Sequence, residues 1–297
     1  MNGLVGSRRG EILRGLGVAA AIGLVACGGG DPPASQASAE VETLRVVSLS
    51  PAITRTLIDL GAGDLLVGRT PYCRGLDGDV PAVGSLLEFD PEAMLAVDPD
   101  LVLVQPGASG IDPDLSALAR REAWTVHSWR IDGLDDLRRL LAELPAALAE
   151  APEADRIARR ARERTDDLAS VLAPLAPAAS PVVVLFAMEP PMAFGAGTFV
   201  GDLLDRSGIR NAVAARGYPE LSLEDLAMLA PARIVLLRDG PAEAAIERLR
   251  SLPIPTPPES RRIVEHPDAL TPGSGWIEAA ARLRGAIAGD TVEEDSR

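Results

Sequence analysis

Two stretches of this chain share one spacing, and that repeat constrains the fold more than any other feature. Glu92 is followed seven residues later by Pro99 and then by the apolar run 101–104; Glu224 is followed seven residues later by Pro231 and then by the apolar run 234–237. The parallel extends upstream. An extended run at 44–49 breaks at Ser50 and Pro51 and passes into a helical pattern ending at Gly61, and a second run at 182–186 breaks at Pro190 and Pro191 before a helical pattern at 198–207 that ends at Gly208. Short apolar strands alternating with helices of about ten residues imply parallel or mixed sheets covered by helices, and here the plan occurs twice. At 297 residues and 47% hydrophobic content the chain can fill two modest cores, since a domain takes roughly 100–200 residues.

Between the halves lies 153–172, the longest helix-compatible run, bracketed by Pro152 and Pro174. Its apolar positions Ile157, Ala161, Leu168, Val171 and Leu172 fall near helical spacing and its other faces are charged. At about 1.5 Å per residue it spans roughly 30 Å, enough to cross from one lobe to another. Read without its flanks, it is equally an amphipathic helix inside one domain. The pattern also predicts a strand at 124–127 and helices at 134–149, 241–252 and 275–288. Four prolines in 252–258 exclude a central strand or helix and leave a surface connection. The expected organisation is an N-terminal α/β lobe at 44–150, a linking helix at 151–174, a C-terminal α/β lobe at 180–290 and a disordered tail at 291–297.

Residues 1–26 carry Arg8, Arg9 and Arg14, then an apolar segment, and read as an export signal whose apolar part is shorter than the roughly 20 residues a spanning helix needs. The run Leu24, Val25, Ala26, Cys27 resembles a bacterial lipoprotein box, in which Cys27 becomes the lipidated first residue and anchors the chain to a membrane. Ser7, Arg8 and Arg9 hint at twin-arginine export, which Glu11 fits poorly, so the export route stays open. Residues 27–43 form a flexible Gly/Pro/Ser tether. With Cys27 acylated, Cys73 is the only remaining thiol and no intramolecular disulfide can form.

The net charge of −14 argues against nucleic acid and suits docking on a basic surface. The chain contains no lysine, which removes phosphate-loop, Schiff-base and Ser/Lys chemistry. Two histidines, His127 and His266, with no metal-ligand spacing and no nucleophile elbow, point away from an enzyme. His127, in an apolar strand, reads as a packed core residue, and Cys73 as a small buried apolar one.

Asp90–Pro91–Glu92 and Ser222–Leu223–Glu224–Asp225 are both helix starts that put a glutamate at the second helical position. An acid there also interacts favourably with the helix dipole, by roughly 0.3–1 kcal/mol, without any function. Aromatics make up only 3% of the chain, so their positions are informative: Tyr72, Phe186, Tyr218 and Trp276 fall at strand ends or in the breaks before helices, where open α/β sheets place a ligand crevice. Together they would wall an apolar cleft suited to a large flat ligand.

Three segments then resemble the periplasmic substrate-binding proteins of iron-chelate and vitamin B12 ABC importers: RVVSLSPAITRTLIDLGAGDLLVGRTPYC at 45–73, FDPEAMLAVDPDLVLV at 89–104, and FVGDLLDRSGIRNAVAARGYPELSLEDLAMLAPARIVLL at 199–237. The resemblance implies an α/β fold of two Rossmann-like lobes joined by a single long α-helix, a class III periplasmic binding protein, with the ligand gripped between lobes and little hinge motion. It implies that Glu92 and Glu224 dock onto arginines of a permease dimer driven by its ATPase. The cobalamin-binding members are nearest in pattern, and they place pocket aromatics and an acid where this chain has Tyr72, Phe186, Tyr218 and Asp268. Leu86 and Gln105 stand where tryptophans are expected, which leaves haem or a ferric siderophore as alternative chelates, with Arg69, Arg74 and Arg130 as the arginines an anionic chelate would need. The implied location is the periplasmic side of the envelope. Rival functions of another class are a ligand sensor or scaffold, and an exported enzyme with a catalytic cluster near Asp268 or His266.

Overall fold

The computed structural model describes residues 43–76, 78–85, 88–175, 181–241 and 243–289. The expected signal peptide, Cys27, the tether up to residue 42, Leu86 and the tail 291–297 lie outside the described residues. The chain divides at Thr43/Leu44, and every element named below belongs to the second unit. Among the described residues no helix is long and apolar enough to cross a membrane.

The first half runs β1 (Val46–Ser48), α1 (Pro51–Asp59), β2 (Leu66–Gly68), α2 (Pro91–Val97), β3 (Leu101–Val104), α3 (Pro113–Glu122), β4 (Thr125–Ser128) and α4 (Leu134–Ala147). Its four strands form one parallel sheet in the order β2-β1-β3-β4. The helix α5 (Ala154–Leu172) follows. The second half runs β5 (Val182–Met188), β6 (Pro191–Ala193), α6 (Phe199–Arg206), α7 (Leu223–Leu229), β7 (Arg233–Arg238), α8 (Glu243–Ser251), β8 (Arg261–Glu265) and α9 (Trp276–Ala288). Its sheet has the corresponding order, β6-β5-β7-β8. The twofold plan read from the sequence is therefore present, with β3 and β7 in equivalent places.

The edges differ. The break at Pro190 and Pro191 is a hairpin rather than a passage straight into a helix, and β6 pairs antiparallel with β5. Two intervening residues can only reverse the chain, whereas β2, reached through a helix, lies parallel to β1. A proline is tolerated here because it is the first residue of β6, where no ladder donor is required of it. β2, α3, β6 and β8 were not expected from the pattern. The proline-rich connection before β8 is a surface segment with an internal clamp. The buried Arg261 side chain donates to the carbonyls of Thr256 (Nη2, 2.6 Å), Leu249 (3.0 Å) and Ile254 (3.1 Å), groups that prolines leave without ladder partners.

Strand residues alternate between two cores, as a period of two requires. Val46, Leu101 and Leu103 of one sheet and Val182, Val184, Val235 and Leu237 of the other enter a single shared core. Val47, Val102 and Val104 face an outer core with Met94 and Leu115, and Val183, Leu185, Ile234 and Leu236 face another with Leu226 and Leu249. Burial on both faces is why the strands read as unbroken apolar runs. The shared core also takes Leu137, Leu141 and Leu144 from α4, Leu203 from α6 and Leu283 from α9, so the two halves are continuous through side-chain packing as well as through the chain.

α5 buries Ile157, Ala161 and Leu168 and packs on α4 of one half and α9 of the other. Its Arg164 donates to the Ser274 carbonyl at 2.7 Å and pairs with Glu278 at 2.7 Å. The halves also touch directly: the Ser274 amide donates to Thr56 Oγ1 at 3.2 Å, and Arg206 pairs with Asp135. Gly273 permits that approach, since a Cβ on it would sit 2.7 Å from the Ala52 carbonyl oxygen. Trp276, expected among the cleft aromatics, is instead buried at 2% exposure and meets Phe199 edge-on at 5.6 Å.

Candidate functional site

At the carboxyl ends of β5 and β7, where parallel sheets place ligands, lies a cavity of about 440 Å³ lined by Phe186, Met188, Glu189, Arg238, Asp239 and Leu270 among others. Phe186 belongs to a three-ring wall. Its centroid is 4.9 Å from Phe194 and 5.6 Å from Tyr218, and Phe194 and Tyr218 are 5.9 Å apart, the last two pairs edge-to-face. Such contacts hold rings in place at 0.5–1.5 kcal/mol beyond their buried area, roughly. Phe194 is buried and braces the cluster, whereas Tyr218 is 57% exposed.

Charge was the part of this site that sequence reasoning missed. Arg238 ends β7 and Asp239 follows it, and Arg248 of α8 pairs with Glu189 at the cavity. The available signal was position: each of Arg238, Asp239 and Glu189 comes just after an apolar strand run, at the end where ligands bind. Phe194 was missed because it follows a proline-broken segment.

The remaining expected residues divide. Tyr72 is 69% exposed on the turn after β2, two residues from Arg74, which reaches Asp239 of the other half at 3.7 Å. Arg69 is committed to the carbonyls of Val80 and Thr70, and Arg130 to Asp132, so of the three arginines only Arg74 meets the cavity wall. Gln105 lines a separate, smaller cavity with Phe89 and accepts a hydrogen bond from Ser50 Oγ at 2.9 Å.

Asp268 turns to the junction of the halves, 3.3 Å from Arg55 Nε, and Arg55 also holds Asp59 at 2.6 Å. Burial raises the Asp268 carboxyl above its ordinary range, opposed by Arg55. Burial lowers His266, whose Nδ1 accepts from the Asp268 amide. Asp268 thus sits two residues from the cavity-lining Leu270, in a polar junction rather than in the wall. Cys73 is buried with its sulfur against Thr54 and Thr70. His127 is half-buried and stacks on Trp129 at 5.7 Å. Among the described residues no group of three or more His, Cys, Asp or Glu side chains is arranged to hold a metal ion.

The Arg74–Asp239 pair spans the two halves but is solvent-exposed, so it is worth only ~0.2–1 kcal/mol and is screened by salt. Arg74→Ala is expected to lower stability by no more than ~1 kcal/mol at low ionic strength and not at all near 1 M salt, read by denaturant melts at the two salt concentrations. A salt-independent loss would refute the ion pair as its source.

A second candidate surface lies on α2 and α7, helices of seven residues each. Asp90 Oδ1 caps α2 by accepting from the amides of Glu92 and Ala93 at 3.0 and 3.1 Å. Ser222 and Asp225 close a reciprocal capping box on α7, which also lowers the Asp225 carboxyl through its hydrogen bonds from Ser222. With the caps supplied by neighbours, Glu92 and Glu224 stand exposed, and neither carboxylate has a hydrogen-bond or ion-pair partner among the described residues. Both helices end on a left-handed residue, Asp98 (φ 34°) and Ala230 (φ 39°), before the proline that leads into β3 or β7.

A family model described as a periplasmic binding protein matches residues 46–252, more than half of the chain. Comparison with curated proteins returns no match. Among solved structures the chain is similar to the periplasmic haem-binding protein BhuT in complex with two haems, at 21% identity and TM-score 0.66 over 83% of this chain and 98% of that one. It is also similar to the periplasmic haem-binding protein RhuT from Roseiflexus sp. RS-1, at 22% and 0.61 over 83% and 99%. The vitamin B12 binding protein BtuF of Vibrio cholerae aligns at 18% and 0.61 over 82% and 96%. At these identities the likeness establishes a common fold.

Proposed function

Because the chain belongs to the periplasmic binding protein family, we propose that it is an exported lipoprotein, anchored through Cys27, that captures cobalamin or a related metal chelate between its lobes and delivers it to an ABC importer. It performs no bond chemistry. The observation that carries the reading is the cavity of about 440 Å³ lined by Phe186, a ring that packs against Phe194 and Tyr218. Its volume lies within the roughly 300–1,000 Å³ of small-molecule sites, and an aromatic cluster that reaches it through Phe186 suits a broad planar macrocycle. Glu92 and Glu224 are the docking contacts for the two permease subunits. They are exposed, unpaired among the described residues and equivalently placed in the two halves.

Haem or a ferric siderophore is the second reading, favoured by Arg238, which lines the cavity and has no ion-pair partner among the described residues; an anionic chelate would supply one. Calorimetric titration with cyanocobalamin, haem and ferric siderophores separates the two. One chelate is expected to bind one per chain with a dissociation constant below about 1 μM, and failure of all three would remove the ligand assignment.

A further inference from the structure

Six large apolar side chains are strongly exposed among the described residues: Tyr72, Tyr218 and Leu270, and Leu95, Leu223 and Met228. Leu270 lines the cavity, Tyr218 packs against the cavity-lining Phe186, and Tyr72 lies two residues before Arg74. The other three all lie on α2 and α7, the helices that carry Glu92 and Glu224. Leu95 is three residues after Glu92, and Met228 is four residues after Glu224, with exposures of 42% and 77%. Spacings of three and four place each pair on one helix face. The inward positions match as well: Met94 and Leu226, each two residues after the glutamate, are both fully buried. Each helix therefore offers outward an acid and, one turn further on, an apolar side chain, while Leu223 lies beside Glu224.

We propose that Leu95 and Met228 are apolar anchors that insert into a hollow next to the docking arginine on each of the two importer permease subunits. The inference rests on the docking reading above and adds to it the apolar half of the contact. Charge complementarity selects this occupant over a second copy of the chain, because self-association through these faces would oppose Glu92 and Glu224 to like charge in a protein of net charge −14. The twofold plan of the chain, with α2 before β3 and α7 before β7 in equivalent sheet positions, matches a partner that presents the same surface twice. An exposed charge alone gives steering and a contact that salt weakens; an apolar anchor gives a part of the affinity that salt leaves in place.

The test measures binding of the ligand-loaded full chain to the permease–ATPase complex in nanodiscs, at low and at 0.5 M salt, beside calorimetric ligand affinity. Leu95→Ser with Met228→Ser is expected to weaken docking about tenfold or more, equally at both salt concentrations, with ligand affinity unchanged. Glu92→Ala with Glu224→Ala is expected to weaken docking at both salt concentrations, and more at low salt. If the glutamate variant docks like wild type, the docking reading fails. If it is impaired while the Leu95→Ser/Met228→Ser variant stays within twofold of wild type, the docking reading stands and the apolar anchors are refuted. A sedimentation run decides the remaining case: conversion of a dimer to a monomer by the same pair, with docking unchanged, would assign the patches to self-association and overturn the proposal.

Discussion

Reversing both docking charges, Glu92→Arg with Glu224→Arg, is expected to abolish uptake of the bound chelate while the isolated protein keeps its ligand affinity within about twofold of wild type. Both side chains are exposed and lie on helices whose caps do not depend on them, since Asp90 and Ser222 satisfy the first-turn amides. An arginine in the first turn opposes the helix dipole by only ~0.3–1 kcal/mol per site, so the fold survives, and a thermal melt would verify it. The effect on docking is far larger. Removing one member of a desolvated charge pair costs about 2–5 kcal/mol, much of it from the charge left behind, and substituting arginine adds like-charge repulsion. With both pairs broken at once, affinity for the permease should fall by at least about a thousandfold. Labelled-ligand uptake in proteoliposomes reads the result, and wild-type uptake in the double variant would refute the glutamates' role.

That pair of glutamates was legible in the sequence because everything that places it is local. The cap residue, the acid at the second helical position, the proline and the apolar strand follow each other within a short stretch in both halves, and short-range order of this kind survives in a linear reading. The alternating destination of Val46 and Val47, or of Val182 and Val183, was implied by continuous apolar runs, but which face joins the shared core was not. That depends on packing between elements far apart in the chain. The same distance hid the pairing of Asp268 with Arg55. Its carboxylate is turned by Arg55, on a helix of the opposite half, into a junction that no spacing reveals. β8 escaped notice because its residues, RRIVE, are polar at the start; the first arginine is buried to satisfy the carbonyls of a proline-rich loop, a role visible only once that loop is folded. Gln105, which stands where the resemblance expects a tryptophan, accepts from the Ser50 hydroxyl at the start of α1, a long-range contact that spacing does not reveal.

The aromatic wall yields the second large effect, and its three rings should separate binding from folding. Tyr218 is more than half exposed, so Tyr218→Ala should change the free energy of unfolding by less than about 1 kcal/mol. Phe194 is buried, and Phe194→Ala should cost roughly 3–5 kcal/mol of stability through the transfer energy forgone and the cavity left behind. Ligand affinity orders the variants differently. If Tyr218 stacks on the chelate, its removal costs about 2 kcal/mol of binding, roughly 30-fold, as expected for an aromatic anchor that the ligand desolvates. Phe186 lies between these limits, half-buried and in contact with both other rings, so Phe186→Ala should affect both readouts by intermediate amounts. Denaturant melts and calorimetry on the same preparations give the two orders. Wild-type ligand affinity in Tyr218→Ala would mean that the exposed ring face is not the surface on which the chelate rests, and would move the search to the charged side of the cavity at Arg238 and Arg248.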